Sequence, residues 1–364
     1  MILTAWHERT FVQPWMPDPV SRQDFALQAL GPFSTAFVQS LSSLSPVGNP
    51  RRVVRCGDVD QPGEKDTRSW MGGQRGDDGC MTKESLHIVV AYDGSDEAQL
   101  ALAWSADTAR LDGSTLRVVV VDPGPDPKHG SGRARDDDEY PVQIWVESAT
   151  LLLDQAAVPG SVVDVLRGST VQQLLIATDG ARLCAVGSRG HSKVGGIWLG
   201  SVSQHLARHA TCPVAVVRAA QDPQARQILV GVDGSGHSDA ALRFACERAS
   251  LTGESVLAVY GYRHWSRQDG GLGGSPTDRD TAVVEDADRM LAESVSAVKA
   301  DYPDLALRTV ARVGGAGTAL EQLSAEASLV VVGSRGRGAF EGLLLGSVSQ
   351  EALHRAACPV VVVR

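Results

Sequence analysis

The chain lacks the long apolar run that a membrane-spanning helix requires; no stretch approaches roughly 18 consecutive apolar residues, so no membrane partner is expected. It also lacks a basic excess. Lys and Arg number 34 against 43 Asp and Glu, a formal charge of −9, which disfavours a general nucleic-acid binder because such proteins displace counterions with basic surface. A small basic pocket stays compatible with that balance. Cysteine is sparse: Cys56, Cys80, Cys184, Cys212, Cys246 and Cys358 include no C-x-x-C pair and no Cys/His cluster at zinc spacing. The opening MILTAWHERTFVQPW shows no basic region followed by an apolar core, so no secretory signal is read there. A reducing, cytoplasmic location is the expectation. Three catalytic signatures are missing as well: the phosphate loop G-x(4)-G-K-[ST], the nucleophile elbow G-x-S-x-G and the zinc motif H-E-x-x-H. Their absence weighs against a P-loop motor, an α/β-type hydrolase and a zinc protease.

What is present fits an ordinary globular protein, with 43% hydrophobic and 21% charged residues over 364 positions, enough for two domains and a tail. Residues 1–82 differ from the rest, being rich in Pro, Ser, Gly and Arg without a sustained period. A short helix near Asp24 to Leu30 is the most they suggest, and they read as a disordered extension or the product of an upstream start, since Met81 opens a natural domain start.

From Leu86 onward, strands and helices alternate. His87 to Tyr92, Leu116 to Val121, Val162 to Leu166, Leu183 to Val186 and Val214 to Val217 read as strands, with helices expected near Ser95–Leu111, Val142–Gln155, Thr170–Thr178 and from Ser201. The second half repeats the order: strands Ile228 to Asp233, Val256 to Tyr260, Leu305 to Val313, Leu329 to Val332 and Val360 to Val363. Its helices are Ser238–Leu251, Thr281–Ala300, Thr318–Ala327 and a segment from Ser347. Asp93 and Asp233 stand 140 positions apart and Gly187 and Gly333 stand 146 apart, so the chain contains an internal duplication, 83–220 and 225–364. Strand–helix alternation with near-continuous valine strands predicts an α/β fold, a parallel sheet with helices on both faces.

Two stretches carry the candidate chemistry. Gly187 to Ser203 reads GSRGHSKVGGIWLGSVS and Gly333 to Ser349 reads GSRGRGAFEGLLLGSVS. In each, a strand ends in Gly, a loop follows, and Gly-Ser opens a helix, at one spacing: Gly187, Gly190, Gly200, Ser201 and Gly333, Gly336, Gly346, Ser347. Glycines let the backbone approach a ligand, and a helix start presents unpaired N–H groups to an anion. One such match is weak; two at one spacing are much stronger.

Asp93 and Asp233 end the first strand of each half in Asp-Gly-Ser, at the edge where ligands of open parallel sheets bind. A carboxylate beside a phosphate cradle ordinarily acts through Mg²⁺; the alternative is that each Asp caps the following helix. Arg189 and Arg335 could fork onto phosphate or be solvated loop residues. His191 and Lys193 occur only in the first copy and read as exposed. The acids Asp136 to Glu139 read as a solvated loop, Gly270 to Gly274 as flexible linker, and the Cys-Pro-Val triplets at Cys212 and Cys358 as buried packing.

The spacing G-x(2)-G-x(9)-G-[ST], the Asp-Gly-Ser after the first strand and the Cys-Pro-Val before the last resemble the universal stress protein family in its tandem form, over about residues 83–364. The resemblance implies two Rossmann-like, adenine nucleotide α-hydrolase-like domains, each a five-stranded parallel sheet of order 3-2-1-4-5. It also implies ATP binding with Mg²⁺. Carried over by motif position, Gly187, Gly190, Gly200, Ser201, Val202 and Ser203, with Gly333, Gly336, Gly346, Ser347, Val348 and Ser349, would hold ribose and phosphates, joined by Arg189 and Arg335. Asp93 and Asp233 would sit by the phosphates or their metal, and backbone near Val120 and Gly261 would recognise adenine. Val119 and Tyr260 stand where the family often has His. The two last strands would pair within the chain, and a homodimer and a regulatory protein partner are further expectations. A nucleotide-dependent regulatory module is the leading function. A slow ATPase and a nucleotide-free scaffold are the alternatives, the first weakened by the lack of a second acid or base and the second by the intact glycines.

Overall fold

A computed structural model describes residues 54–55, 87–124, 142–190, 199–262, 276–338 and 344–364, and the side chains of all of these except 54–55 and 276–282. All belong to one compact unit, Arg51–Arg364. The expectations at Asp24–Leu30, Cys80, Asp136–Glu139, His191, Lys193 and Gly270–Gly274 lie outside the described residues.

The first half runs β2 (His87–Ala91), α1 (Asp96–Asp112), β3 (Thr115–Asp122), α2 (Val142–Ala156), β4 (Val162–Arg167), α3 (Thr170–Ala177), β5 (Leu183–Gly187), α4 (Ser201–His209) and β6 (Val214–Val217). The second runs β7 (Gln227–Gly231), α5 (Gly236–Thr252), β8 (Ser255–Tyr262), α6 (Pro276–Asp301), β9 (Leu307–Val313), α7 (Ala316–Leu323), β10 (Leu329–Gly333), α8 (Ser347–Arg355) and β11 (Val360–Val363). Within each half the strand order is 3-2-1-4-5 with every neighbour parallel, as the alternation and the resemblance imply.

Strand periodicity decides which helices cover which face. On β2, Ile88 and Val90 pack with buried residues of α1 and α2, while Val89 and Ala91 pack with α3 and α4. The second half does the same with α5 and α6 on one face and α7 and α8 on the other. Both faces being covered is why these strands read as unbroken valine and leucine rather than as alternating patterns.

The halves join through their last strands. β6 and β11 pair antiparallel, Val214 opposite Val362, Ala215 opposite Val361 and Val216 opposite Val360, so the two copies form one continuous sheet. Ala215 and Val361 are equivalent positions of the duplication, so a local two-fold axis passes between them. The residues just beyond the strands extend that symmetry. Arg218 donates from Nη1 to the Ala356 carbonyl (2.9 Å) and from Nη2 to that of Leu353 (2.5 Å), and Arg364 donates from Nη2 to that of Ala207 (2.8 Å). Ala207 and Leu353 are equivalent, so each half places a cation on the C-terminal carbonyls of the other half's last helix, where the helix dipole is negative. Nothing local in the sequence signals this contact.

One element departs from the sequence reading. Within residues 1–82, which read as an extension without a packed core, β1 (Val54–Arg55) adds to the outer edge of β4, Val54 opposite Asp164 and Arg55 opposite Val165. Edge pairing uses backbone groups only, and two residues are too short to show a side-chain period.

Candidate functional site

At the carboxyl end of β2 the chain turns through Asp93-Gly94-Ser95. Gly94 has φ +79° and its counterpart Gly234 has φ +73°, a left-handed turn that side chains disfavour. Asp93 Oδ1 accepts from the Ser95 amide (3.1 Å) and hydroxyl (2.5 Å), and Asp233 Oδ1 accepts from the Ser235 amide (3.0 Å). The helix caps are the serines: Ser95 Oγ accepts from the Ala98 amide and Ser235 Oγ from that of Ser238, both at 3.3 Å. The carboxylates are thus not the caps, which removes the bland alternative for these two residues. Each is held instead against the glycine loop, since a Cβ built on Gly190 would collide with Asp93 Oδ2 and one on Gly336 with Asp233 Oδ2. Burial pushes the Asp233 pKa up, but hydrogen bonds from the Ser235 hydroxyl and from the Arg337 and Ser235 amides outweigh it and hold the pKa below the ordinary value. Asp233 is therefore a fixed negative charge at neutral pH.

The glycines do different jobs. A Cβ on Gly187 would stand 2.7–2.9 Å from Glu97 carbonyl carbon, Glu97 Cβ and the Ala98 amide, and one on Gly333 equally close to His237. These two positions are small because the start of α1 or α5 lies directly on the strand end, a packing requirement that holds with or without a ligand. Gly200 and Gly346 are the reverse case. Among the described residues a Cβ there would meet nothing closer than 3.4 Å and 3.5 Å, and their φ values of −71° and −73° suit any residue. The described residues give no reason for glycine at either position.

Gly200 and Gly346 are the N-caps of α4 and α8, and no side chain caps either helix, in contrast to α1 and α5. Their amides donate to Ser188 and Ser334 carbonyls at 2.7 Å, which closes the loop back onto the strand end. The first-turn amides of Ser201, Val202 and Ser203, and of Ser347, Val348 and Ser349, are the groups an α-helix leaves unpaired. Ser201 and Ser347 are exposed. The Ser203 and Ser349 side chains are buried, and their hydroxyls donate to Gly187 (2.7 Å) and Gly333 (2.6 Å) carbonyls. A phosphate oxygen accepts, so a hydroxyl whose only proton is already given away contributes through its amide alone.

The loop arginines differ between copies. Arg189 is paired with Glu97, at 2.8 Å from Nη2 and 3.1 Å from Nε, whereas Arg335 Nη2 lies 3.1 Å from His237 Nε2. A third arginine was missed by sequence reasoning: Arg337 donates its amide to Asp233 Oδ2 (2.8 Å), and its guanidinium lies over Gly234 beside Met290. Its counterpart is His191, so the duplication gave no signal for it. Trp145 was missed too and stands over Gly94 in the first half.

The expected adenine positions need a register correction. β2 pairs with β3 starting at His87 opposite Thr115, and β7 with β8 starting at Gln227 opposite Ser255. Val120 therefore corresponds to Tyr260 and Gly261 to Val121, so Val120 and Gly261 are not equivalent. Val120 is fully buried toward the α1 and α2 layer, and Gly261 is small because the Ala316 backbone packs on it.

Among the described residues no group of three or more His, Cys, Asp or Glu could hold a metal by itself. Asp93 and Asp233 each stand against a glycine loop, and in the first half Glu97 adds a second carboxylate through its pair with Arg189. Among the described residues, also, no helix is long and apolar enough to cross a membrane.

A sequence profile of the universal stress protein family matches twice, over residues 85–218 and 224–364. The chain belongs to that family. Two universal stress proteins of Mycobacterium tuberculosis are similar to it, one 34% identical over 289 residues, 76% of this chain and 96% of the relative, the other 35% identical over 298 residues, 77% and 97%. The universal stress protein fold is seen again in a crystal structure from Archaeoglobus fulgidus with a TM-score of 0.50 at 20% identity, covering 77% of this chain and 99% of that one. A protein described as functionally unknown from Pseudomonas aeruginosa superposes with a TM-score of 0.54 at 18% identity, over 77% and 92%. The family membership covers both halves, and the residues before position 85 lie outside the match.

Proposed function

We propose that each half binds an adenine nucleotide, ATP in the first instance, and that the chain is a nucleotide-dependent regulatory module. The observation that carries the reading is the pair Gly200 and Gly346. Among the described residues neither is required by packing or by backbone conformation, and both stand at an uncapped helix start that closes onto the loop against which a carboxylate is held. A phosphate approaching the first-turn amides of α4 and α8 accounts for the missing side chain, because a Cβ would stand where the phosphate must come.

Asp93 and Asp233 suit Mg²⁺ in the way that ion is usually held, by one or two carboxylates together with phosphate oxygens and water. Bound there, the ion would neutralise charge between carboxylate and phosphates. Asp233 does not suit proton abstraction. Both oxygens of Asp233 already accept hydrogen bonds, and its lowered pKa makes it a poor base at neutral pH. That favours holding the nucleotide over cleaving it. Regulation is favoured by the connection of the two halves: the helices that would hold the phosphates are clamped at their other ends by Arg364 and Arg218 of the opposite half. Occupancy at one helix start thereby bears on the shared sheet.

Titration calorimetry with ATP and Mg²⁺ tests the reading. The expected result is binding that disappears from the first half in Gly200→Val and from the second in Gly346→Val, with both variants folded. Undiminished binding in the Gly200→Val, Gly346→Val double variant overturns it.

A further inference from the structure

His205 and His209 stand one turn apart on α4, both exposed, with ring centroids 6.2 Å apart and planes within 20° of parallel. Their counterparts on α8 are Glu351 and Arg355, and those two hold α8 against α7. Arg355 Nη1 lies 3.2 Å from Glu321 Oε2, and the Glu351 side chain fills the space that a Cβ on Gly317 would take. Thr178 matches Ser324, since each donates its hydroxyl at 2.7 Å to the carbonyl three residues back, Leu175 or Glu321. Leu175 thus stands where the second half has Glu321, and Val171 where it has Gly317. The first half has replaced a charged contact between two helices with two imidazoles and two aliphatic side chains, so the histidines do not repeat the structural job of their counterparts.

His205 is set for a ligand. A carbonyl only accepts, so His205 Nδ1 donates to that of Ser201 (2.8 Å), which fixes the ring and leaves Nε2 as the nitrogen to offer. A histidine that holds a metal ordinarily has its other nitrogen tied down in this way. His209 is the last residue of α4, at the negative end of the helix dipole. The i, i+4 spacing is that of the two metal-binding histidines in H-E-x-x-H, with Leu206 where that motif has its catalytic Glu. The pair therefore suits holding a metal and lacks the base that hydrolysis needs. Arg208 stands beside His354 of α8, and Arg364 reaches the Ala207 carbonyl; both lie toward the second half.

We propose that His205 and His209 form a site for a divalent transition metal such as Zn²⁺, Ni²⁺ or Cu²⁺, bound through one nitrogen of each ring. Imidazole suits these ions, whereas Mg²⁺ takes oxygen ligands and is not expected there. The exposed His209 ring has room to turn about its side-chain bonds toward the ion that His205 Nε2 meets. Water completes the coordination. The site does not depend on the nucleotide reading, and the metal binds with or without ATP.

The test uses the untagged full chain without nucleotide, at a pH above the ordinary histidine value of about 6.5, with Ni²⁺ as the probe and Mg²⁺ as the control. Amide exchange reads the location and calorimetry the stoichiometry. An ion held by two turns of one helix ties them together, so Ni²⁺ is expected to slow exchange across α4 and Mg²⁺ to leave it unchanged. In His205→Gln and in His209→Gln the α4 response disappears, and each variant takes up one Ni²⁺ fewer than the unaltered chain. The double variant loses the same single equivalent, because two ligands on one helix act as a chelate that either loss breaks. Exposed positions make both substitutions mild, and the response of the unaltered chain is by itself able to overturn the site. Exchange across α4 that ignores Ni²⁺, or a response that survives either substitution, overturns it.

Discussion

Gly187→Ala and Gly200→Ala make the same chemical change 13 residues apart in one loop, and the structure predicts opposite consequences. At Gly187 the added methyl would stand 2.7 Å from a backbone carbonyl carbon and 2.9 Å from a backbone amide of α1. Backbone does not rotate away as a side-chain tip does, so the helix or the strand end must shift. Overpacking of this kind costs about 1–3 kcal/mol. At about 2 kcal/mol, and with about 2–4 °C per kcal/mol for a domain of this size, Tm falls by about 4–8 °C. At Gly200 the methyl makes ordinary contacts at 3.4–3.5 Å and the backbone is unstrained. The expected loss there is only the N-cap preference of glycine over alanine, about 0.5–1 kcal/mol. Binding runs the other way: the folded fraction of Gly187→Ala keeps nucleotide in the first half, and Gly200→Ala weakens it. Urea and thermal denaturation followed by circular dichroism, with nucleotide titration of the same samples, measure both. Equal stability of Gly187→Ala and wild type, or a Gly200→Ala variant that loses as much stability as Gly187→Ala yet binds normally, refutes the division of labour between the two glycines.

Three further outcomes follow from the same geometry. Removing Arg218 takes two charged hydrogen bonds from the C-terminus of α8, so Arg218→Ala should cost about 2–4 kcal/mol in urea denaturation, with amide exchange rising across β6 and β11; unchanged exchange at that junction would contradict the clamp. For Asp233 the folded pKa lies below its unfolded value of 3.8. Its contribution to stability is therefore fully present above that value and is lost as pH falls through the folded pKa. Asp233→Asn should flatten the fall in urea midpoint between about pH 5 and 3, and an identical pH profile would count against it. Burial pushes the thiols of Cys212 and Cys246 up to about 11 and that of Cys358 to about 12, and raises Cys184 as well. Peptides carrying these four should stay unalkylated by iodoacetamide in the native protein and become labelled in urea; native labelling of any of them would contradict their burial.

Much of this architecture was legible because the duplication wrote each signal twice. Strand order, helix placement and the pairing of Val214–Val217 with Val360–Val363 all follow from alternation and from the family resemblance. The uncapped Gly-Ser helix starts were legible too. What sequence could not separate is why a glycine is there: Gly187 and Gly200 look alike in a motif and differ only in what lies within 3 Å. The motif contains Ser203 and Ser349 but does not show that their hydroxyls turn back to the strand. Arg337 was invisible because its counterpart is a histidine, and Arg218 and Arg364 because their partners lie more than a hundred residues away. Strand ends alone do not set register: Val120 and Gly261 stand one position apart in the duplication, which the ladder with the neighbouring strand shows.

Native mass spectrometry of the chain after gentle purification and addition of ATP with Mg²⁺ tests the central claim most directly. The account predicts a species carrying two adenine nucleotides per chain, falling to one in Gly200→Val and to one in Gly346→Val. A chain that carries none, or whose nucleotide count ignores both substitutions, would contradict it.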